Sequence, residues 1–307
     1  PAPGSRTLAR CLACGGERLA PLPLAYEWEG VRYPAAGCRD CGMRFLAVQP
    51  AGETLARLDA PAYFARDFRC GRAAAGADDA AAFRAENDGL LAAFEPYRGR
   101  GRLLEVGCAA GLLLQRAAAR GWSATGVEPA AAAAAHARGL GLDVHPGTLE
   151  AARLPDAAFD LVYMGDVLEH VPDCRATLAE VARVLAPGGH LHLRGPITTH
   201  SLARGLALAV WRATGRTRVL HEPPYHLWEF RPRPLARLAA AVGLEVVAMR
   251  QAKIPPGRPH GGKRAAEALA MAALDALNLP LTAAFNARGD RVVMVARKPP
   301  SPAPAAP

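Results

Sequence analysis

The segment Leu103-Leu-Glu105-Val-Gly107-Cys-Ala-Ala-Gly111 joins a short apolar strand pattern to a loop that contains two glycines. The residues that follow, Leu112 to Arg120, carry apolar side chains at helical spacing. Glycines between a buried strand and a helix let the backbone approach a ligand at the helix N-terminus. The sequence therefore predicts a ligand-binding strand–loop–helix unit at this point.

Strand and helix patterns alternate after this loop. The further predicted strands are Trp122–Val127, Leu142–Val144, Phe159–Met164, His190–Arg194, Leu244–Met249 and Arg291–Ala296. The predicted helices include Ala130–Arg138, Ala176–Leu185, Leu202–Trp211, Arg231–Val242 and Ala265–Leu277. Such alternation is typical of an α/β fold with a doubly wound, mostly parallel sheet.

Glu128 ends the second predicted strand, where a carboxylate can bind the hydroxyls of a ribose. The dinucleotide fingerprint, Gly-x-Gly-x-x-Gly, would also require a glycine at the position of Ala109 and a third glycine at the start of the following helix. Their absence disfavours a dinucleotide pyrophosphate as the ligand.

Four of the seven cysteines form two close pairs, Cys11-Leu-Ala-Cys14-Gly and Cys38-Arg-Asp-Cys41-Gly. Four thiolates complete a tetrahedral zinc site and leave no open position for catalysis. A redox dithiol is the alternative, but it needs only one such pair. Alternating side chains on both sides of Gly30 predict a hairpin between the pairs, as in a zinc ribbon.

The composition is that of a globular chain, with 51% hydrophobic and 21% charged residues in 307. The net charge is +9, and only three of the 37 basic residues are lysines. We attribute this charge to an arginine-rich composition, and the sequence disfavours a nucleic-acid partner. It shows no transmembrane segment and no signal-peptide pattern, so a cytoplasmic location is expected.

Several motifs in a fixed order complete the pattern. They are Glu105-Val-Gly-Cys-Ala-Ala-Gly111, Gly126-Val-Glu-Pro129, Gly147-Thr-Leu-Glu150, Leu154-Pro-Asp-Ala-Ala-Phe-Asp160, Asp166-Val-Leu-Glu-His-Val-Pro172 and Arg183-Val-Leu-Ala-Pro-Gly-Gly189. In these motifs the chain resembles class I S-adenosylmethionine-dependent methyltransferases. More narrowly, it is similar to bacterial small-molecule and glycan-cluster enzymes with an N-terminal zinc ribbon. The resemblance extends from the second cysteine pair and Tyr63-Phe64 to His226-Leu-Trp-Glu-Phe230 and the last strand.

The resemblance implies a Rossmann-like methyltransferase sheet with an antiparallel last strand, and S-adenosyl-L-methionine as the cofactor. It implies that Gly107 and Gly111 line the methionine part of the cofactor and that Glu128 takes the ribose hydroxyls. The other expected cofactor-binding residues are Glu105, Thr148, Leu149, Met164 and Gly165. Ala109 stands where the family often has glycine, which is expected to narrow the loop.

Three histidines are candidates for removing a proton from the acceptor. His226, in an irregular segment after the fifth strand, is the first choice, followed by His221 and His170. Tyr225 and Trp228 could stack on the acceptor. Each histidine could equally serve in packing.

The expected function is methyl transfer to a small molecule, such as a sugar, a glycan precursor or a specialised metabolite, at oxygen or carbon. One alternative is an RNA methyltransferase in which the ribbon and the arginines hold phosphate. Another is a non-catalytic partner-binding protein with a relic methyltransferase fold, although the intact Gly107, Gly111 and Glu128 argue against it.

The sequence also predicts the domain organisation. Residues 1–48 form the zinc ribbon and 49–100 a helical linker or lid. The methyltransferase domain is expected over 101–298, with acceptor-side insertions at about 199–230 and 254–288. The last residues, 299–307, are expected to be disordered.

Overall fold

The structure is a computed structural model, and it describes residues 4–58, 77–253 and 265–300. Tyr63 and Phe64, part of the expected insertion at 254–288 and most of the expected tail lie outside these ranges. In the described part of the chain, no helix has the length and apolar character needed to cross a membrane.

A seven-stranded sheet forms the centre of the molecule. Its strands are β6 (Arg102–Val106), β7 (Ser123–Glu128), β8 (Asp143–Pro146), β9 (Phe159–Gly165), β10 (Leu185–Pro196), β13 (Glu245–Ala252) and β14 (Arg291–Arg297). Their order across the sheet is β13-β14-β10-β9-β6-β7-β8. Strand β14 runs antiparallel to both of its neighbours, whereas the other pairs described are parallel. The expected Rossmann-like sheet with an antiparallel last strand is confirmed.

Both faces of this sheet are buried, which explains why its central strands are almost continuously apolar. In β9, Leu161 packs in a cluster with Leu91 and Phe94, whereas Val162 packs on the other face with Leu178. Asp160 is the second residue of this strand and accepts hydrogen bonds from the backbone N–H groups of residues 100 and 102 and from the guanidinium of residue 102. Asp160 therefore has a structural role at the amino end of the strand.

Eight helices cover the described sheet and its connections. They are α1 (Glu53–Leu58), α2 (Ala77–Phe94), α3 (Leu112–Ala118), α4 (Ala131–Gly139), α5 (Cys174–Val184), α6 (Leu202–Ala213), α7 (Pro232–Ala241) and α8 (Ala265–Phe285). Helix α5 begins at Asp173, whose carboxylate caps the N–H groups of Arg175 and Ala176. The sequence prediction ended α8 at residue 277, but the helix continues through Pro280.

The N-terminal region forms a second, five-stranded sheet. Its strands are β2 (Leu19–Trp28), β3 (Val31–Cys38), β4 (Arg44–Leu46), β11 (Arg218–Leu220) and β12 (Trp228–Glu229), in the order β11-β2-β3-β4-β12. The two short outer strands come from the segment that follows β10. A separate pair joins β1 (Ser5–Thr7) to β5 (Val48–Pro50). The hairpin expected between the cysteine pairs is therefore present, but distant residues complete its sheet.

One apolar core connects the two sheets. Tyr33, Met43 and Phe45 of the ribbon belong to the same buried cluster as Trp228 and Leu191. The ring of Trp228 lies 5.8 Å from that of Phe45, and its Nε1 donates to the carbonyl of residue 171 at 2.7 Å. Trp228 is only 2% exposed, so it is a core residue and not the acceptor-stacking group that the sequence suggested.

Candidate functional site

A cavity of about 550 Å³ lies at the carboxyl ends of β6, β7 and β9. This volume is within the range of small-molecule sites, and the carboxyl edge is where ligands bind in sheets of this class. Its lining includes Glu105, Gly107, Ala109, Glu128, Gly147, Thr148, Leu149, Tyr163, Gly165, Asp166, His170, Arg194 and Tyr225. Leu55 and Leu58 of α1, together with Phe83 and Asn87 of α2, also line it.

Glu128 fixes the shape of the loop after β6. Its Oε2 accepts the backbone N–H of Ala109 and its Oε1 accepts that of Ala130, both at 2.8 Å. The side chain is 2% exposed and lines the cavity. Each carboxylate oxygen can accept more than one hydrogen bond, so Glu128 can position the loop and still accept ligand hydroxyls.

Glu105 presents an unusual buried carboxyl to the same cavity. It is 8% exposed, and its Oε2 accepts no hydrogen bond from the described residues. Burial raises the pKa of this carboxyl well above its ordinary value. Repulsion from Glu128 adds to the rise, and Arg194 opposes it. A buried acceptor without a donor is a suitable partner for a cationic ligand group such as an ammonium.

The two predicted glycines adopt backbone conformations that glycine favours. Gly107 has a φ of 74°, and a Cβ there would lie 2.5 Å from the side chain of Val167. Gly111 has a φ of 77°, and a Cβ there would lie 2.3 Å from that of Leu142. Gly107 lines the cavity, whereas Gly111 precedes helix α3 and is not among the lining residues. Gly111 therefore contributes to the conformation of the loop without lining the cavity.

The remaining expected cofactor residues divide in a similar way. Thr148, Leu149 and Gly165 line the cavity. Met164 is fully buried within β9 and is not among the lining residues. Because side chains alternate along a strand, only one of two adjacent residues at its end faces the ligand.

An ion-pair group at the carboxyl ends of β9 and β10 was missed by the sequence analysis. Arg194 lies 2.6 Å from a carboxylate oxygen of Glu86 on α2 and 3.9 Å from that of Asp166. Arg291 binds Asp166 from β14 at 3.2 Å. The sequence feature that could have indicated this group is Arg194, a single arginine at the end of an apolar strand pattern. The group connects α2 to the edge of the sheet and places Arg194 and Asp166 at the cavity.

His170 and His226 lie together at the rim of the cavity. Their ring centres are 5.0 Å apart, and Nδ1 of His170 lies 2.8 Å from the carbonyl oxygen of Tyr225. His170 and Tyr225 line the cavity, whereas His226 is beside it and exposed. The surrounding protein atoms nevertheless lower the pKa of His226, and Asp166 opposes this shift. A neutral imidazole at pH 7 can accept a proton.

Glu169 completes a small cluster with these two histidines. One ligand atom from each of the three side chains lies within 4.8 Å of the others. Two imidazoles and a carboxylate are ligands that a divalent transition metal can use. The same arrangement also allows a proton to be held between an imidazole and the carboxylate of Glu169.

His221 lies elsewhere. His221 directly follows strand β11, which pairs with β2 of the ribbon. Its Nδ1 therefore lies at the ribbon, 3.9 Å from a carboxylate oxygen of Glu27. Its side chain is 74% exposed and does not line the cavity. The structure therefore separates His221 from the two histidines with which the sequence grouped it.

The four paired cysteines converge in the ribbon. The sulfurs of Cys11 and Cys41 are 3.6 Å apart, as are those of Cys14 and Cys38, and all four lie within 4.8 Å of one another. A tetrahedral zinc ion places its sulfurs about 3.8 Å apart, so the donor set fits zinc. Burial raises the pKa of the Cys11 thiol to about 12, and a bound cation would favour its thiolate form.

Comparisons with known proteins agree with this architecture. The family model described as a methyltransferase domain matches residues 79–249. A ubiquinone biosynthesis O-methyltransferase of Rhizobium rhizogenes is 30% identical over 154 residues, which are 48% of this chain and 61% of that protein. Its namesake from a Methylobacterium species is 34% identical over 162 residues, or 50% of this chain and 62% of that protein. The chain thus spans about 60% of the length of these curated relatives.

A solved structure provides a comparison of the fold. A SAM-dependent methyltransferase from Archaeoglobus fulgidus superposes with a TM-score of 0.51 at 16% identity, covering 77% of this chain and 99% of that one. The family model covers more than half of the chain, and the observed sheet order has the single antiparallel strand expected of the fold. The chain therefore belongs to the class I S-adenosylmethionine-dependent methyltransferase family.

Proposed function

We propose that the protein transfers a methyl group from S-adenosylmethionine to a hydroxyl group of a small molecule. The observation that carries the proposal is the cavity at the carboxyl edge of the sheet. Buried acids line its β6–β7 side, and a histidine pair lies at its rim. The two relatives described above are named as O-methyltransferases, which supports oxygen as the acceptor atom.

The acids would hold the cofactor at two points. Glu128, at the end of β7, would accept the ribose hydroxyls, and Glu105 would face the ammonium of the methionine part. Thr148 and Leu149 would contact the adenine from the loop after β8. The cofactor, when bound, supplies a methyl group on a sulfonium that is already activated for displacement.

The chain's own task is then to align the acceptor and to remove its proton. His226 is the candidate base, because its lowered pKa keeps the imidazole neutral at pH 7. His170 would orient the segment through its contact with the carbonyl of Tyr225. The side chain of Tyr225 would border the acceptor, since it lines the cavity at this rim.

We further propose that the ribbon carries a structural zinc ion on Cys11, Cys14, Cys38 and Cys41. The convergence of four sulfurs at zinc-like separations supports it. Four thiolates fill the coordination sphere, so this ion would stabilise the ribbon and would not activate the acceptor.

The shared sheet supports a proposal for the domain organisation. We propose that residues 1–48, together with 218–229, form one folding unit, and that 101–298 provides the methyltransferase domain. Helices α1 and α2, whose Leu58 and Phe83 line the cavity, would cover the cofactor as a lid.

The proposal is tested first by binding and then by turnover. Isothermal titration calorimetry should detect S-adenosylhomocysteine, with NAD as the negative control. Labelled S-adenosylmethionine should then methylate at least one member of a panel of catechols, hydroxybenzoates and free sugars. Absence of S-adenosylhomocysteine binding by the folded protein would overturn the proposal. Methylation of an amine instead of a hydroxyl would overturn the choice of acceptor atom.

A further inference from the structure

A second cavity lies between the ribbon, helix α6 and the residue that precedes α7. Its volume is about 560 Å³. The residues that line it are Ala20, Pro21, Leu22, Gly37, Cys38, Arg39, Gly42, Arg44, Arg212 and Arg231. It shares no lining residue with the cofactor cavity. We call it the arginine cavity.

Four guanidinium groups face this space from three parts of the chain. Arg39 and Arg44 come from the ribbon, Arg212 from helix α6 and Arg231 from the residue before α7. Arg44 and Arg231 are half-buried, whereas Arg39 and Arg212 are exposed. This convergence requires the tertiary fold, because the four arginines are spread over almost 200 residues of sequence.

Little negative charge balances the four cations. Within the described residues, no carboxylate oxygen lies within 4.0 Å of these guanidinium groups. Arg44 donates to the carbonyl of Thr199 at 2.9 Å, and Arg231 donates through Nε to Nδ1 of His200 at 3.2 Å. Glu229 pairs with Arg44 across the sheet, but its Oε1 accepts the backbone N–H of Thr199.

The arginines therefore repel one another. Burial lowers the pKa of Arg44, and the positive charges of Arg212 and Arg288 add to the shift while Glu229 opposes it. Burial also lowers the pKa of Arg231. The positive charges of Arg44 and Arg288 add to this shift, and Glu229 opposes it. A bound anion would remove this repulsion and supply the missing acceptors.

The residues that line the cavity indicate which class of anion it would bind. Guanidinium groups recognise phosphate oxygens through paired hydrogen bonds, and several of them together favour a group with more than one negative charge. The other lining residues are small or aliphatic, and none of those described is aromatic. The site thus lacks the stacking surface that single-stranded nucleic acids use.

We propose that the arginine cavity binds the phosphate or diphosphate group of a small molecule. This inference goes beyond the methyl transfer proposed above and does not depend on it. The phosphate could belong to the methyl acceptor or to a separate ligand, and the recognition chemistry is the same in both cases.

The test uses the full, zinc-loaded chain and inorganic pyrophosphate as the probe. Calorimetry at low ionic strength should detect binding that weakens as salt rises. Arg44→Gln and Arg231→Gln should each weaken it about tenfold to 150-fold, the usual effect of losing hydrogen bonds to a charged group. Arg218→Gln, whose side chain is exposed and outside the cavity, is the matched control and should bind normally. S-adenosylhomocysteine affinity should not change in any variant.

A second variant keeps the test valid if loss of Arg44 or Arg231 disturbs folding. Arg39→Gln/Arg212→Gln changes only exposed side chains and should also weaken pyrophosphate binding by at least about tenfold. Undetectable pyrophosphate binding by the unmodified chain, or equal affinity in the double variant, would overturn the proposal. So would tight binding of single-stranded RNA without pyrophosphate binding. If the substitutions lowered only the zinc content, the arginines would serve to stabilise the cysteine cluster, and this result too would overturn the proposal.

A comparison of KM values identifies the source of the phosphate. Once an acceptor has been found, its phosphorylated and unphosphorylated forms are compared as substrates. A KM that rises at least about tenfold in Arg39→Gln/Arg212→Gln for the phosphorylated form alone would support a phosphate carried by the acceptor. Pyrophosphate binding with unchanged KM values would support a separate ligand.

Discussion

The backbone N–H of Ala109 lies 2.8 Å from Oε2 of Glu128, and this hydrogen bond joins the loop after β6 to the end of β7. Ala109 makes it with a φ of 48°, in the left-handed region where a side chain costs about 1–2 kcal/mol. The carboxylate thus holds an alanine in a conformation that glycine would adopt without strain.

Ala109→Gly should relieve this strain. The gain of about 1–2 kcal/mol is at least as large as the roughly 0.4–1 kcal/mol that glycine costs through the unfolded chain, so the free energy of unfolding should rise by up to about 1.6 kcal/mol. Chemical denaturation measures it. The neighbouring substitution Ala110→Gly, at a position without positive φ, should lower stability. A loss of stability in Ala109→Gly as large as in Ala110→Gly would contradict the strain argument.

Glu128→Ala should weaken S-adenosylhomocysteine binding about tenfold to 150-fold, because hydrogen bonds to a charged group are lost. Calorimetry gives the affinity, and a thermal scan must first show that the variant is folded. Asp143→Ala is the matched control. It removes a carboxylate that binds Thr125 in the same β7–β8 region, outside the cavity. Equal affinities in the two variants would remove Glu128 from the cofactor site.

The raised pKa of Glu105 predicts a pH-dependent cofactor affinity. Without cofactor, the carboxyl is protonated below its raised pKa, whereas an ammonium partner requires the carboxylate. Binding should therefore release a proton and should tighten as pH rises towards that pKa. Titrations in two buffers of different ionisation enthalpy measure the released proton.

Glu105→Gln tests the assignment of this proton, because the amide cannot ionise. The variant should bind S-adenosylhomocysteine without proton release at Glu105. It should also be more stable than the unmodified apoprotein at neutral pH. When the pKa of a carboxyl is higher in the folded than in the unfolded protein, the folded protein loses stability as the pH rises above the pKa of the unfolded state. Glutamine cannot ionise and avoids this loss. An unchanged proton release would assign the titration to another group.

His226→Ala should lower turnover about 10²- to 10⁴-fold with little change in cofactor affinity, if His226 removes the acceptor's proton. His221→Ala is the control, since that side chain faces Glu27, and it should retain normal turnover. The base must be neutral, and its pKa is lowered from 6.5. Activity should therefore fall only below about pH 6.5, as the imidazole becomes protonated.

Two results would contradict the base role of His226. One is near-normal turnover in a folded His226→Ala variant. The other is loss of activity on treatment with EDTA under conditions that do not change the zinc content proposed for the ribbon. That result would make His226 a metal ligand together with Glu169 and His170, whose ligand atoms are close enough for it.

Cys38→Ser should abolish the binding of one zinc ion per chain, measured by plasma mass spectrometry on freshly reduced protein. The thermal midpoint should fall by about 3 °C or more, as for a loss of about 2 kcal/mol in a chain of this size. Cys108→Ala is the control, because Cys108 is a buried residue of the loop that lines the cavity after β6 and lies outside the four-cysteine cluster, so its loss should not affect the zinc content. Full zinc occupancy in Cys38→Ser would exclude the four-cysteine site.

The elements of the central sheet could be predicted because each has its own local signal. Strand β9 is apolar on both faces, and the loop from Gly107 to Gly111 has glycines where φ is positive. The short strands β11 and β12 could not be predicted in the same way. They have three and two residues, and only their pairing with the distant ribbon makes them strands.

The candidate site shows the same division. Glu128 and the glycines follow from their positions in a local motif, whereas Arg194 reaches the cavity because β10 lies beside β9. His221 and His226 are five residues apart, but β11 carries one to the ribbon and the contact with His170 holds the other at the cavity. Sequence proximity could not separate them, because the direction of that segment depends on pairings with residues 24–26 and 44–45.

The pairing of Trp228 and Glu229 with Phe45 and Arg44 means that the ribbon is not a detachable module. A chain shortened by its first 48 residues would lose the partners of both β11 and β12. Two short backbone edges and the indole of Trp228 would then face water, which favours edge-to-edge association. Shortening the chain should therefore cause aggregation before it causes a clean loss of catalysis. A relative without such a ribbon must cover the region after β10 with some other segment.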